Sequence, residues 1–177
     1  MEPREKPLRC PGGYPLAFLL GYEWRVTTRL RLVVRQRTGV SVTDVDGDGP
    51  ASSAPRPVHK PLSGTGPAVL AVSCREALGE VAEHYAAAVD AQELSTLHMS
   101  GMLSPSEIRG LARACGLELR RLNNRGVDKH LLMLGPAALA VFAGSSANAS
   151  GPVTIPFWNG QAFVSPIVIG GNANPGT

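Results

Sequence analysis

Ala68-Val69-Leu70-Ala71-Val72-Ser73 is a run of small and β-branched residues, and from Arg75 to Val89 the apolar positions recur at helical spacing. An unbroken apolar run of this length reads as a strand buried on both faces; with the helix after it, it makes one βα unit of a parallel sheet. The pattern repeats downstream. Glu93 to Met99 predicts a second strand, and Ser104 with Pro105 supplies a cap and a first-turn proline for a helix running to about Arg121 through Ile108, Leu111, Ala112, Cys115 and Leu119. Lys129 to Leu134 predicts a third strand, and Gly135-Pro136 opens a helix from Ala137 to about Ser145. Two closing strands, Val153 to Trp158 and Ala162 to Ile169, meet across Asn159-Gly160, a type I′ hairpin signal. The expected fold is α/β: a mostly parallel sheet in the order β-α-β-α-β-α-β-β with a C-terminal β-hairpin.

Upstream the organisation differs. Tyr14 to Tyr22 is a segment of helix formers stopped at Gly21, and Leu30 to Gln36 alternates Leu30, Leu32 and Val34 with Arg29, Arg31 and Arg35 at period two, a half-exposed strand. Residues 41–66 collect Asp, Gly, Pro and Ser with few large apolar side chains, and the expectation is a flexible linker that cannot order itself. Residues 170–177 read as a disordered tail. Sliding the sequence on itself lays Pro15-Leu16-Ala17-Phe18-Leu19-Leu20-Gly21 over Ala138-Leu139-Ala140-Val141-Phe142-Ala143-Gly144. In both copies a strand begins nine residues after the glycine, at Leu30 and at Val153. Either the module is duplicated, or an α/β protein has reused a helix, a glycine and a strand. On the first reading residues 1–40 are a remnant, one helix and one strand, of a unit whose second copy spans residues 67–169.

With 177 residues, 44% of them apolar, the chain closes one core and is too short for two full-sized domains. Gly and Pro together occupy 35 positions, the sum of 20 and 15, which favours loops over a helical bundle. A net charge of +3 excludes a strongly basic nucleic-acid arm, so duplex nucleic acid is not an expected partner. Charge is nonetheless polarised. Met1 to Arg37 holds eight Lys or Arg against three Glu, whereas Gly135 to Thr177 holds no charged residue, a surface with little repulsion to overcome if two copies stack. No apolar run approaches the roughly 20 residues of a membrane span, and the N-terminus lacks the apolar core of a secretory signal. A cytoplasmic location without membrane contact is expected. Cys10, Cys74 and Cys115 form neither a disulfide framework nor a zinc pattern and are expected to be reduced.

In an open parallel sheet a ligand sits beyond the carboxyl ends of the strands. That rule selects Ser73, Cys74 and Arg75 after the first strand, His98, Met99, Ser100 and Gly101 at the end of the second, and Gly135 and Pro136 after the third. Helix N-termini there offer backbone N–H groups to phosphate, and Arg75 could add a charge-assisted contact. Ser73 could equally be a helix cap, Arg75 solvated surface and His98 structural. His130 reads as structural, and the basic stripe of Arg25, Arg29, Arg31 and Arg35 as a solvated strand face. Asp44-Val45-Asp46-Gly47-Asp48-Gly49 imitates half of a calcium loop, but the twelfth position is Pro55, and an acidic turn is the better reading. No phosphate-loop, nucleophile-elbow, zinc-protease or dinucleotide motif occurs, so no catalytic residue, metal or cofactor is expected.

The stretch Lys129-His130-Leu131-Leu132-Met133-Leu134-Gly135-Pro136-Ala137-Ala138-Leu139-Ala140-Val141-Phe142-Ala143-Gly144, followed by Gly151-Pro152-Val153 and a closing strand pair, resembles the C-terminal half of a SAVED domain, which consists of two fused CARF-like units. Ala68 to Arg75 resembles the first strand of the second unit, and the likeness covers residues 14–37 and 67–169. The resemblance implies a sensor that binds a cyclic oligonucleotide second messenger in anti-phage defence (CBASS) and activates an effector, absent from this chain, through ligand-driven homo-oligomerisation. The alternative is a small Rossmann-like enzyme acting on a nucleotide or related metabolite, with Ser73, Arg75 and His98 in its cleft.

Overall fold

The computed structural model describes residues 17–19, 21–22, 31–36, 39–44, 54–74, 77–101, 103–158, 161 and 163–170. Its main sheet has six strands in the spatial order β3-β5-β4-β6-β7-β8: β3 (Val58–Pro61), β4 (Ala68–Cys74), β5 (Glu93–Met99), β6 (Lys129–Leu134), β7 (Val153–Trp158) and β8 (Phe163–Ile169). Strands β5, β4, β6 and β7 run parallel; β3 and β8 close the two edges antiparallel. From Ala68 to Ile169 the order is the one the sequence predicts. The turn expected at Asn159-Gly160 lies outside the described residues, as do Arg75 and the tail beyond Gly170.

Every residue of β4 is buried because helices cover both sides of the sheet. Helix α1 (Gly79–Ala88) packs Ala82 and Ala86, with Leu78 just before it, on Val69, Ala71, Leu94 and Leu132. Helices α2 (Pro105–Asn124) and α3 (Ala137–Ser146) cover the other face, where Leu111, Cys115, Leu119, Leu139 and Phe142 meet Leu70, Val72, Leu97, Leu131 and Met133. Strand alternation sorts the core: successive β4 side chains go to opposite layers. Helix α2 starts where its sequence says it should, with the Ser104 side chain accepting from Glu107 N–H and the Glu107 carboxylate accepting from Ser104 N–H at 2.7 Å. Helix α1 begins at Gly79, later than the Arg75 start expected.

Two departures fall upstream. The basic strand is β1 (Arg31–Gln36), but it forms a two-stranded antiparallel sheet with β2 (Gly39–Asp44), from Arg31 opposite Asp44 to Gln36 opposite Gly39. The β-branched Val40, Val42 and Thr43 suit that pairing, so residues 41–44 are strand and not part of a flexible linker. The end of that segment is ordered as well. Strand β3 pairs with β5 from Val58 opposite Thr96 to Pro61 opposite Glu93. Its four residues are all exposed, so apolar burial does not hold it; backbone ladder bonds and polar anchors do. After it, Leu62 N–H donates to Gln92 O at 3.0 Å, Gly66 N–H donates to Asp90 O at 2.7 Å, and the Thr65 backbone and hydroxyl both donate to the Asp90 carboxylate at 3.0 Å.

Candidate functional site

From β4 the chain passes through α1 to β5 on one side, then through α2 back across to β6 on the other, so strand order reverses at β4. Such a reversal leaves a crevice outside the carboxyl ends of the strands that diverge from it. Ser73 pairs in register with His98 on one side and Leu134 on the other, and Cys74 pairs with Met99. Strands β4, β5 and β6 therefore end level, and the sequence-selected residues fall along one edge.

Along that edge they divide by face. Ser73, in step with Val69 and Ala71, belongs to the α1 side, and its hydroxyl is hydrogen-bonded to His98 Nδ1 at 3.0 Å. Ser73 is only 2% exposed, whereas His98 faces solvent. Cys74 and Met99 point to the α2–α3 side and pack in the larger core cluster. Gly135 lies against Cys74 there: a Cβ on it would stand 2.6 Å from Cys74 Sγ. Ser100 and Gly101 are exposed, and Gly101 turns the chain at φ +96°.

The helix starts at this edge are not equivalent. The N-terminus of α2 is capped by Ser104 and carries the Glu107 carboxylate, whose pKa is lowered chiefly by the Ser104 N–H bond. The first turn of α1 carries Glu80. Helix α3 has exposed Pro136 at its cap position, no side-chain cap bond and no acid in its first turn; Leu139 N–H donates to Pro136 O at 2.9 Å, and the N–H groups of Ala137 and Ala138 precede any intrahelical acceptor beside the switch point.

The opposite edge holds a cluster that sequence reasoning missed. His59 on β3 brings Nδ1 to 2.9 Å from Ser95 Oγ, 3.3 Å from Glu93 Oε1 and 3.5 Å from Glu118 Oε1. Ser95 Oγ lies 3.1 Å from Glu93 Oε1 and 3.0 Å from Glu118 Oε1. His59, Glu93 and Glu118 have the residue types of a metal triad, with ligand atoms within 4.8 Å of one another. Two guanidinium groups already match the two carboxylates: Arg121 binds Glu118 through Nε at 2.9 Å and also reaches Glu93, and Arg125 donates to Glu93. Burial raises the Glu93 pKa, but the bonds from Arg125 and Arg121 outweigh it and hold the carboxyl below its usual 4.5. With its charge balanced, the cluster is an anchor for β3 rather than a cation site. The spacing of Glu118 and Arg121 was visible in sequence; its partners were not.

The other candidate histidine is structural. His130 Nδ1 is hydrogen-bonded to Tyr85 OH at 2.9 Å, and burial outweighs the nearby Asp128 charge to lower its pKa. Arg25 and Arg29 lie outside the described residues, as does most of the acidic Asp44–Gly49 turn.

The family model described as "SMODS-associated and fused to various effectors sensor domain", SAVED, matches residues 11–166. The chain belongs to the SAVED family. Solved SAVED structures share its fold. A Cap4 SAVED/CARF-domain containing receptor of Acinetobacter baumannii, solved with the cyclic trinucleotide 3′3′3′-cAAA, superposes with a TM-score of 0.67 at 16% identity, covering 86% of this chain and 36% of the receptor. The same receptor with 2′3′3′-cAAA gives a TM-score of 0.67 at 18% identity over 86% of this chain and 36% of that one. The Moraxella osloensis Cap4 receptor gives 0.58 at 16% identity, covering 85% and 34% respectively. This SAVED chain thus spans about a third of the length of those receptors. Among curated proteins, none matches it significantly by sequence. Among its described residues no helix is long and apolar enough to cross a membrane.

Proposed function

We propose that this SAVED chain senses a cyclic oligonucleotide second messenger in anti-phage defence, binding it at the carboxyl edge of β4, β5 and β6. The observation that carries the reading is family membership over residues 11–166, on a fold shared with receptors solved with cyclic trinucleotides. The edge supplies suitable chemistry. A cyclic oligonucleotide presents one phosphodiester per nucleotide and a ring of bases, and the N–H groups of Ala137 and Ala138, which open α3 directly after Gly135 and Pro136, suit the first while His98 suits the second. Ser100 and Gly101 complete the exposed rim; Ser73 is buried beneath it, hydrogen-bonded to His98, Cys74 and Met99 support it from within, and Arg75 follows directly in sequence.

The role is binding, in the cytoplasm, without a cofactor. A Ser73–His98 hydrogen bond could be taken for a nucleophile and its base, the alternative of a nucleotide-processing enzyme. Ser73 is buried, however, and no carboxylate is hydrogen-bonded to His98 among the described residues, so the pair lacks the access and the orienting acid such catalysis uses. Signal passes to an effector through contacts between copies of the chain, for which the exposed Ile167 and Val168 of edge strand β8 are suited.

Thermal unfolding with cyclic di-, tri- and tetranucleotides and their linear forms tests the reading. A ligand at 100 times its Kd adds about 2.7 kcal/mol, hence a shift of roughly 5–10 °C for a chain of this size. A shift by one cyclic compound and not by its linear form is expected. A clean transition that no compound moves, or turnover of the ligand, overturns it.

A further inference from the structure

We propose that His98 determines which base the messenger carries, and that Ser73 is a positioning residue that fixes the His98 ring for that task; the inference rests on the sensor reading above. The starting point is an asymmetry of exposure. Ser73 is buried at the end of a fully buried strand, and its hydroxyl would be left unsatisfied there without a partner. The partner it has is the solvent-facing side chain of the next strand, His98, whose Nδ1 lies 3.0 Å away.

A surface histidine ordinarily samples several rotamers. Here parallel register places it directly beside Ser73, and one ring nitrogen is occupied from below. Two consequences follow. The ring plane is held at the edge of the sheet, one strand away from the crevice between β4 and β6. The bond also ties the two nitrogens together: when Ser73 donates to Nδ1, Nε2 carries the proton and donates outward; when Nδ1–H donates to Ser73, Nε2 accepts. At any time His98 thus presents a single outward group in a fixed direction. That is what discrimination among bases demands, since bases differ in the donors and acceptors on their edges whereas every phosphodiester offers the same acceptors. Surrounding features leave room for a base: Ser100 is exposed, and among the described residues, Gly101's own chain neighbours aside, no atom lies within 4 Å of where a Cβ on Gly101 would stand.

The experiment is titration of the purified chain with 3′3′3′-cAAA and with cyclic trinucleotides of the same linkage in which guanosine or uridine replaces adenosine. Proteins compared are the unaltered chain, Ser73→Ala, Ser73→Thr, His98→Ala and His98→Asn. The unaltered chain is expected to prefer one base. His98→Ala should weaken the preferred ligand about tenfold and leave the others nearly unchanged, so that discrimination collapses. Ser73→Ala should reproduce part of that loss, and Ser73→Thr, which keeps the hydroxyl, should restore it. Imidazole ¹⁵N shifts of His98 in the free protein give a readout independent of any ligand: Ser73→Ala should move the Nδ1 resonance, which loses its hydroxyl partner, at an unchanged unfolding midpoint. If His98→Ala weakens all three ligands equally, His98 touches phosphate and the base-reading role falls. If His98→Ala acts as expected and Ser73→Ala behaves like the unaltered chain in both readouts, the positioning role falls. Binding of the panel unaffected by any of these variants overturns the whole inference while the sensor reading stands; an unaltered chain that binds neither these trinucleotides nor the cyclic di- and tetranucleotides of the unfolding panel overturns both.

Discussion

Gly21 and Gly144 hold equivalent positions in two helical segments that press against each other and exchange partners. A Cβ on Gly21 would stand 1.9 Å from the Val141 carbonyl oxygen and 2.9 Å from Ser145 N; a Cβ on Gly144 would stand 2.0 Å from the Phe18 carbonyl oxygen and 2.9 Å from Tyr22 N. The sequence repeat lays Phe18 over Val141, Gly21 over Gly144 and Tyr22 over Ser145. The two contact sets are therefore the same set with the copies interchanged, as a local two-fold axis between two copies of one helix would produce.

This geometry decides the sign of a substitution. In an ordinary helix Gly→Ala stabilises by up to about 1 kcal/mol, but here the new methyl meets backbone, which cannot rotate away. Gly144→Ala is expected to cost about 1–3 kcal/mol and to lower the thermal midpoint by roughly 3–10 °C. Gly21→Ala should act alike, and the double variant should lose less than the sum because both methyls force apart the same pair of segments. Calorimetry that shows either single variant stabilised would refute the close crossing.

Acid should loosen the other edge of the sheet first. The folded-state pKa of Glu93 lies below its ordinary 4.5, so its contribution to stability is present above 4.5 and is lost as pH falls through the lower, folded value. Urea midpoints measured across that window should fall steeply for the unaltered chain and less steeply for Glu93→Gln, which at neutral pH should already be the weaker protein because Arg121 and Arg125 lose their charged partner. Parallel curves would show that Glu93 has no part in the acid response.

Cys115 is fully buried, and burial, with the Glu118 charge as a smaller contribution, pushes its thiol up to about 12. Alkylation by iodoacetamide at pH 8 should leave Cys115 untouched in the folded chain and modify it fully in urea, as read by peptide mass analysis. Modification of the folded protein at the rate of a free thiol would contradict this packing.

Ile167 and Val168, 50% and 60% exposed on edge strand β8, are the residues through which assembly is proposed to proceed. Ile167→Lys with Val168→Lys should leave ligand affinity within about twofold and abolish ligand-dependent growth in sedimentation coefficient, since lysines on an edge strand oppose pairing. Assembly that persists in this variant would move the contact elsewhere.

The sheet from Ala68 onward was legible because buried strands, amphipathic helices and caps leave strong local patterns. Strand β3 left none: Val58–Pro61 buries little, and what fixes it is a ladder to β5 and a histidine meeting carboxylates that lie 34 and 59 positions away. Ser73 and His98 were both selected as strand-end residues, but as a cap and a lone histidine; their bond spans 25 positions and appears only once β4 and β5 are in register. Face was equally hidden, since which of Ser73 and Cys74 points outward depends on the layer each helix covers.

The two ends of the parallel strands do different work. The amino end is tied by the Glu93, Glu118, Arg121 and Arg125 ion pairs, whereas the carboxyl end finishes in short exposed loops at Ser100, Gly101 and Pro136. Mutational drift can therefore rewrite the loops that meet a messenger while the fold is secured some seven residues, about 20 Å, away along each strand. Such a scaffold can evolve to recognise a new molecule without first becoming unstable, an advantage in a contest where the signal itself is under pressure to change.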